Sequence, residues 1–334
     1  MIAGGNSDES TMQPSTQSNL DSSVTQSEFI AIGIDLGGTK IAAGLVSFPS
    51  GKILAKEIVA TLPQRGGEAV LADTMAIAQR MKNCADSMGL AVQGIGLGIA
   101  ELVNLKGEVT SEYSIRWRAL PARERLSQIA PTRFESDARA PGVAEALFGA
   151  GKNFRNFVYL TVGTGISYCL MIGGEPYTGA HGHAIIAASG PLSLECEKCG
   201  HISNQVLEEF ASGPAMVARY KQHANAAFTK GQEVTATAAS GDAIAKHVVE
   251  SSGFALGKSA AFLVNVLDPE AIVVGGGLGL AGGLYWDSFV NATRTHIWSE
   301  VSRDLPIVQA QLGTDAGLIG AAAMFWKHAV ATQS

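Results

Sequence analysis

Apolar positions along the chain follow two alternating periods. Phe29-Ile-Ala-Ile-Gly-Ile34 is a short β-branched run that ends in Asp35-Leu-Gly-Gly-Thr-Lys40 and resumes as Ile41-Ala-Ala-Gly-Leu-Val46, which predicts strand, glycine turn, strand. From Leu71 the apolar residues Leu71, Met75, Ala78, Met81, Ala85 and Met88 recur every three or four positions. That is the spacing of a helix burying one face, and it assigns these methionines to the core. A buried strand over 94–99 and a charged helical segment over 122–129 follow. The pattern then restarts: Phe157-Val-Tyr-Leu-Thr-Val162 runs into Gly163-Thr-Gly165 and on through Ile166-Ser-Tyr-Cys-Leu-Met-Ile172. A helix over 257–267, a strand over 271–274 and a turn at Gly275-Gly-Gly277 close the second half. Strands alternating with helices in two similar halves predict an α/β protein of duplicated architecture.

Composition narrows the picture. A chain of 334 residues, 46% hydrophobic and 16% charged, suffices for two medium cores, and two lobes are expected, over 29–140 and 141–328, with a short tail at 329–334. Its 39 glycines cluster in short runs after apolar stretches, as backbone turns that must approach something closely do. A net charge of −6 without a dense Lys/Arg run argues against a nucleic-acid partner. Cys84, Cys169, Cys196 and Cys199 include only one close pair, which is no disulfide framework and fits a reducing cytoplasm. No apolar stretch reaches the roughly 18 residues of a membrane span. Residues 1–28, rich in Ser, Thr, Gln and Asn and without Lys or Arg, read as a disordered tail that supplies neither a signal peptide nor a DNA-binding helix-turn-helix.

A glycine turn with an Asp at its mouth suits a nucleotide, because its N–H groups cradle phosphate oxygens and the Asp helps hold Mg²⁺. One such turn is equally a plain hairpin; two, each heading a similar half, are harder to explain as turns alone.

Ile34-Asp-Leu-Gly-Gly-Thr-Lys40, Gly163-Thr-Gly165, Asp268-Pro-Glu-Ala-Ile-Val-Val-Gly-Gly-Gly277 and Ala316-Gly-Leu-Ile-Gly-Ala-Ala322 resemble, in order, the signatures of the ROK family of sugar kinases and repressors. The resemblance implies an actin-like ATPase (ribonuclease H-like) fold of two α/β lobes, ATP and sugar in the cleft between them, Mg²⁺, and a homodimer. It puts Gly37, Gly38, Thr39 and Lys40 on the phosphates, Gly163, Thr164 and Gly165 opposite them, Gly275, Gly276 and Gly277 beside the adenosine, and Asp35 near the metal. Glu135-Ser-Asp-Ala-Arg139 resembles the family's Glu-Asn-Asp-Ala-Asn and makes Asp137 the general base, the carboxylate that phosphoryl transfer needs at the attacking hydroxyl. Without its neighbours, Asp137 reads equally as a helix N-cap.

The substrate side departs from the sugar kinases. Ser114, in Ser114-Ile-Arg-Trp117, and Ser136 stand where the family has Asn. The family's Gly-Glu-Ile-Gly-His aligns with Ile185-Ile-Ala-Ala-Ser189, so both polar sugar contacts of that stretch are missing. Glu208 matches a sugar-contact Glu or is a solvated helix carboxylate; Arg139 contacts an anionic or keto-bearing substrate or lies on a solvated helix face. Unpaired polar groups cost roughly 1–3 kcal/mol each, so the substrate is expected to be a C7 cyclitol or a non-glucose hexose derivative, an ordinary glucokinase being the alternative. Cys196-x-x-Cys199-Gly-His201 occupies the region where the family binds structural Zn²⁺, and it reads as zinc ligands, with His181 or His183 completing the set although neither is at the family's position, as free thiols or as a redox pair. A sugar-responsive repressor is disfavoured by the N-terminal tail, and a degenerate binding protein by the intact turns and Asp137.

Overall fold

The apolar runs at 29–46 pair as their pattern predicts, β1 (Phe29–Leu36) and β2 (Lys40–Phe48) forming an antiparallel hairpin around Gly37–Thr39. In the computed structural model, which describes residues 28–190, 194–195, 199, 202–203 and 206–332, β3 (Lys52–Ala60) extends the hairpin. Helix α1 (Gly67–Ser87) then crosses to β4 (Val92–Ile99), parallel to β1, and α2 (Ala122–Leu126) leads to β5 (Thr132–Ser136), parallel to β4. The predicted core face of α1 is buried at Leu71, Ala78, Met81 and Ala85, but Met88 lies past the last turn and is 48% exposed, which corrects its assignment to the core.

After α3 (Ala140–Phe148) the plan repeats. β6 (Asn156–Val162), β7 (Ile166–Ile172) and β8 (Glu175–Pro176) form the second antiparallel set. A two-residue pair, β9 (Leu194–Glu195) and β10 (Ile202–Ser203), stands apart. Helices α4 (Glu208–Ala211), α5 (Gly213–Lys221), α6 (Gly231–Ala239) and α7 (Ala243–Leu267) precede β11 (Ala271–Gly275), parallel to β6. The chain ends in α8 (Gly276–Gly279), α9 (Gly283–His296), β12 (Ile307–Gln309), parallel to β11, and α10 (Ala316–Ala331). The strand orders β3-β2-β1-β4-β5 and β12-β11-β6-β7-β8 are one topology used twice, a hairpin followed by two parallel strands. This is the actin-like ATPase fold.

Two differences from the sequence pattern have local causes. Helix α7 starts at Ala243, well before the expected 257: Asp242 caps it by accepting the Ala245 N–H at 2.7 Å, and the break in the apolar period at Ser252 stays helical, its hydroxyl donating to Val248 O. Gly253 is there for close packing: a Cβ would meet Tyr285 O of α9 at 2.4 Å. The expected turn at Gly275–Gly277 winds instead into the short helix α8.

Each sheet has its own core, and a third apolar cluster joins them. Phe48 of the first sheet, Phe157 and Tyr159 of the second, Val143 of α3 and Leu318 and Phe325 of α10 belong to it. Helix α10, last in sequence, thus packs on the first sheet and against α3. Gly320 permits that crossing, since a Cβ there would sit 1.7 Å from Ala140 O.

Candidate active site

The carboxyl ends of β1, β4 and β5 converge on one side of the first sheet, where an open α/β sheet places its ligands. Asp35 pairs with Gly98 across β1 and β4, Ile99 pairs with Ser136 across β4 and β5, and Asp137 donates its N–H to Ile99 O at 3.1 Å. A cleft of about 580 Å³ opens there. Gly37, Gly38, Thr39, Lys40, Ser114, Ser136, Asp137 and Arg139 border it, and Thr164, Gly165 and Glu208 face them from the second lobe.

Both glycine turns are fixed by bonds that leave their outer faces free. Thr61, fully buried, donates its hydroxyl to Gly37 O at 2.7 Å and its N–H to Thr39 O at 3.1 Å. Gly38 is exposed with no neighbour within 4 Å of its Cβ direction. In the second turn Gly163 N donates to Gly165 O at 2.9 Å, Gly213 N to Gly163 O at 2.8 Å, and Ile166 N to Glu208 Oε2 at 2.7 Å. Glu208 therefore lines the cleft and orders the turn with one oxygen. Asp35, Gly163, Gly275, Gly276 and Gly277 do not border the 580 Å³ volume; Gly276 and Gly277 lie against the base of the second turn, at Val162 and Gly163. Gly276, at φ 81°, would bring a Cβ to 2.4 Å from Val162 O, and Gly163 has Gly277 N at 3.6 Å from its Cβ direction.

Negative charge is concentrated at the floor. Burial first, and then the charges of Asp35, Glu101 and Glu208, push the Asp137 carboxyl up to about 8 against a backbone bond from Ala138. Burial also pushes Asp35 up, to about 6, with Lys40 pulling the other way. Excess anionic charge beside a Lys and two open N–H turns is the donor set for a magnesium nucleotide. Mg²⁺ is bound through one or two carboxylates plus phosphates and water, so it needs no dedicated cage; among the described residues no group of three His, Cys, Asp or Glu converges as one. For zinc, Cys196 and His201 lie outside the described residues, and Cys199 is exposed.

Two cleft residues, Glu101 and Tyr113, escaped the sequence reading, and a third, His183, entered it only as a candidate zinc ligand. Glu101, buried, accepts the Ser111 hydroxyl and the N–H groups of Ser114 and Ile115, both at 2.7 Å, and of Tyr113 at 3.0 Å. It thereby shapes the loop that presents Tyr113 and Ser114. Burial alone would raise its carboxyl, but these bonds outweigh burial and hold it below the usual range. His183 meets Thr110 Oγ1 at 2.9 Å. The position of Glu101 just beyond a β4 strand end was the available signal; nothing local marked the mouth residue Tyr113, and nothing marked His183 as a cleft residue. Arg139 borders the cleft but is buried, engaged with Glu135, Val103 O and Gly182 O, so a solvated helix face is excluded. Ile185 and Ile186 form an apolar stretch of the wall. Ile185 holds φ 61°, left-handed backbone that costs a non-glycine residue about 1–2 kcal/mol, where the family resemblance has Gly.

Comparison with known proteins agrees with this geometry. A glucokinase of Streptomyces coelicolor is 31% identical over 318 residues, covering 88% of this chain and 96% of its own. An N-acetylmannosamine kinase of Yersinia pseudotuberculosis is 30% identical over 313 residues, covering 89% and 98%. The crystal structure of a ROK family glucokinase from Streptomyces griseus with glucose and AMPPNP superposes with a TM-score of 0.75 at 31% identity, covering 88% of this chain and 98% of that one. The ROK family profile matches residues 31–328, nearly the whole described chain with both turns and the cleft, and the chain belongs to the ROK family.

Proposed function

We propose that the chain is an ATP-dependent sugar kinase whose cleft transfers the γ-phosphoryl group to a hydroxyl of a small sugar-like polyol, with Asp137 as general base. The observation that carries this is the place of Asp137: at the strand ends, between two open glycine turns, with a carboxyl pushed up to about 8. A base of that strength is matched to a proton released near neutral pH.

Asp137 takes the proton of the attacking hydroxyl as its oxygen bonds to the γ-phosphorus. The bond from that phosphorus to the β–γ bridging oxygen breaks, and ADP leaves. The N–H groups of Gly38 and Thr39 in the first turn and of Thr164 and Gly165 in the second, with Lys40, hold the phosphates, while Glu208 fixes the second turn and faces the substrate. Mg²⁺, when bound near Asp35, supplies positive charge to the phosphates.

For the substrate we infer a C7 cyclitol or a hexose derivative other than glucose. Ser114, Ser136, Ile186 and Ser189 border the cleft where sugar kinases carry longer polar groups, and the wall at Ile185 and Ile186 offers a hydroxyl no partner. Ordinary glucokinase activity is the second reading, favoured by Glu208 and by the glucokinase relatives. The test is kcat/KM for glucose beside valiolone, valienone and N-acetylmannosamine, read by ADP release. A cyclitol or hexosamine ahead of glucose supports the first reading, and glucose ahead by more than about tenfold, roughly 1.4 kcal/mol, establishes the second. No turnover on any of them would leave a regulator or a degenerate kinase. A homodimer is supported by the exposed apolar residues Phe254, Phe262 and Val266 along α7, and light scattering measures it.

A further inference from the structure

Arg139 follows the catalytic turn by two residues and caps α3. Its guanidinium is buried, 7% exposed for the residue. Nε donates to Glu135 Oε1 at 2.6 Å, and Nη2 donates to the same oxygen. Nη1 reaches Gly182 O at 2.5 Å and Nη2 reaches Val103 O at 3.2 Å. Those two carbonyls belong to different loops. Val103 lies on the loop after β4 that carries Leu102, Tyr113 and Ser114 to the cleft; Gly182 lies on the loop after β8 that carries Ala184, Ile185 and Ile186.

The two loops also touch directly, because a Cβ on Gly182 would meet Val103 O at 2.6 Å and Asn104 Cα at 2.8 Å, and His183 bonds Thr110. A buried guanidinium is tolerable only when paired and bonded all round, and four N–H bonds from one planar fork are a task Lys cannot do. We propose that Arg139 is a positioning residue that fastens both substrate-facing loops to the catalytic turn, setting the pocket's shape without lending its charge to the substrate. The loop after β8, although it follows a strand of the second lobe, is thereby tied to the first. The proposal rests on the reading of this cleft as the kinase site.

Arg139→Lys and Arg139→Gln separate the possibilities. With the fork lost in both, peptides over 101–116 and 179–190 should exchange amide hydrogen at least about tenfold faster in either variant, with β11 and α7 unchanged. KM for the best sugar or cyclitol of the panel should rise at least about tenfold in both, with KM for ATP within about twofold. If Arg139→Lys keeps the wild-type KM while Arg139→Gln loses it, the charge itself binds substrate and the proposal is overturned. Unchanged exchange in the two loops, or a uniform rise across the chain, overturns it too. If the wild type turns over none of the panel, the kinase reading fails, and the exchange experiment still decides the loop-fastening role by itself.

Discussion

Asp137 shares its surroundings with Asp35, Glu101 and Glu208, and its carboxyl is pushed from 3.8 up to about 8. The folded chain therefore keeps this proton through a range in which the unfolded chain has released it, and stability falls as pH rises from about 4 to about 8. At about 1.4 kcal/mol per pH unit, the ceiling on that loss is about 6 kcal/mol; water and Lys40 rearranging around the charge reduce it, and we expect about 1–3 kcal/mol. Asp137→Asn keeps the shape and has no proton to lose. It should denature several degrees above the wild type at pH 8.5, without nucleotide or metal, and at nearly the same temperature as the wild type at about pH 3.5, below the unfolded value of 3.8. Paired thermal denaturation curves at the two values measure this, with turnover in the same preparation falling at least about 10²-fold. An equal gain at both pH values, or a loss at pH 8.5, would show that crowded negative charge is not what the site holds, and near-wild-type turnover would remove Asp137 as the base.

Further outcomes follow from the same contacts. Glu101→Gln should cost about 1–3 kcal/mol at pH 7 through its weakened bonds to Ser111 and the 113–115 backbone. Because the Glu101 carboxyl is held below its usual range, wild-type stability from it is present above about pH 4.5 and lost as pH falls further, so the two denaturation curves should converge in acid. Gly320→Ala should force α10 off Ala140, lowering stability by about 1–3 kcal/mol or more and lowering kcat, since Ala140 follows the catalytic turn; Gly38→Ala, in open space, should leave stability within about 0.5 kcal/mol. Ser136→Asn with Ile186→Glu should shift kcat/KM toward glucose, and an unchanged ratio would mean these positions do not set the preference. Metal analysis of chelator-free protein should find about one zinc per chain, reduced by Cys199→Ser; its absence ends the zinc expectation.

The glycine turns were legible in the sequence because a strand end followed by a turn without side chains is a local feature, whereas Asp137 was marked only through the family resemblance of Glu135-Ser-Asp-Ala-Arg139. Arg139 was not legible, because whether a guanidinium faces solvent, substrate or two carbonyls depends on Val103 and Gly182, distant in sequence. Glu101 escaped for the same reason, its partners being backbone groups of an irregular loop with no periodicity. Helix α7 was underread because Ser251, Ser252 and Gly253 interrupt the apolar period, and only the approach of α9 explains the glycine. Gly317 and Gly320 were visible as part of a family signature, but not as the contact points of α10 with Asp35 and Ala140.

The packing of α10 on the first sheet sets an order on the making of this protein. Strands β1 and β4 leave the ribosome early, yet the helix that covers them, α10, follows every other element described. The strands of the second sheet, from β6 to β12, are complete before that helix exists, whereas the first sheet waits with an uncovered apolar face until residue 331 has emerged. Nascent chains are exposed to misassembly while such faces are open, so the half that carries Asp137 is covered later than the second sheet is completed. A chain stopped before Ala316 would keep every residue that borders the cleft and still lack the surface on which its first lobe closes.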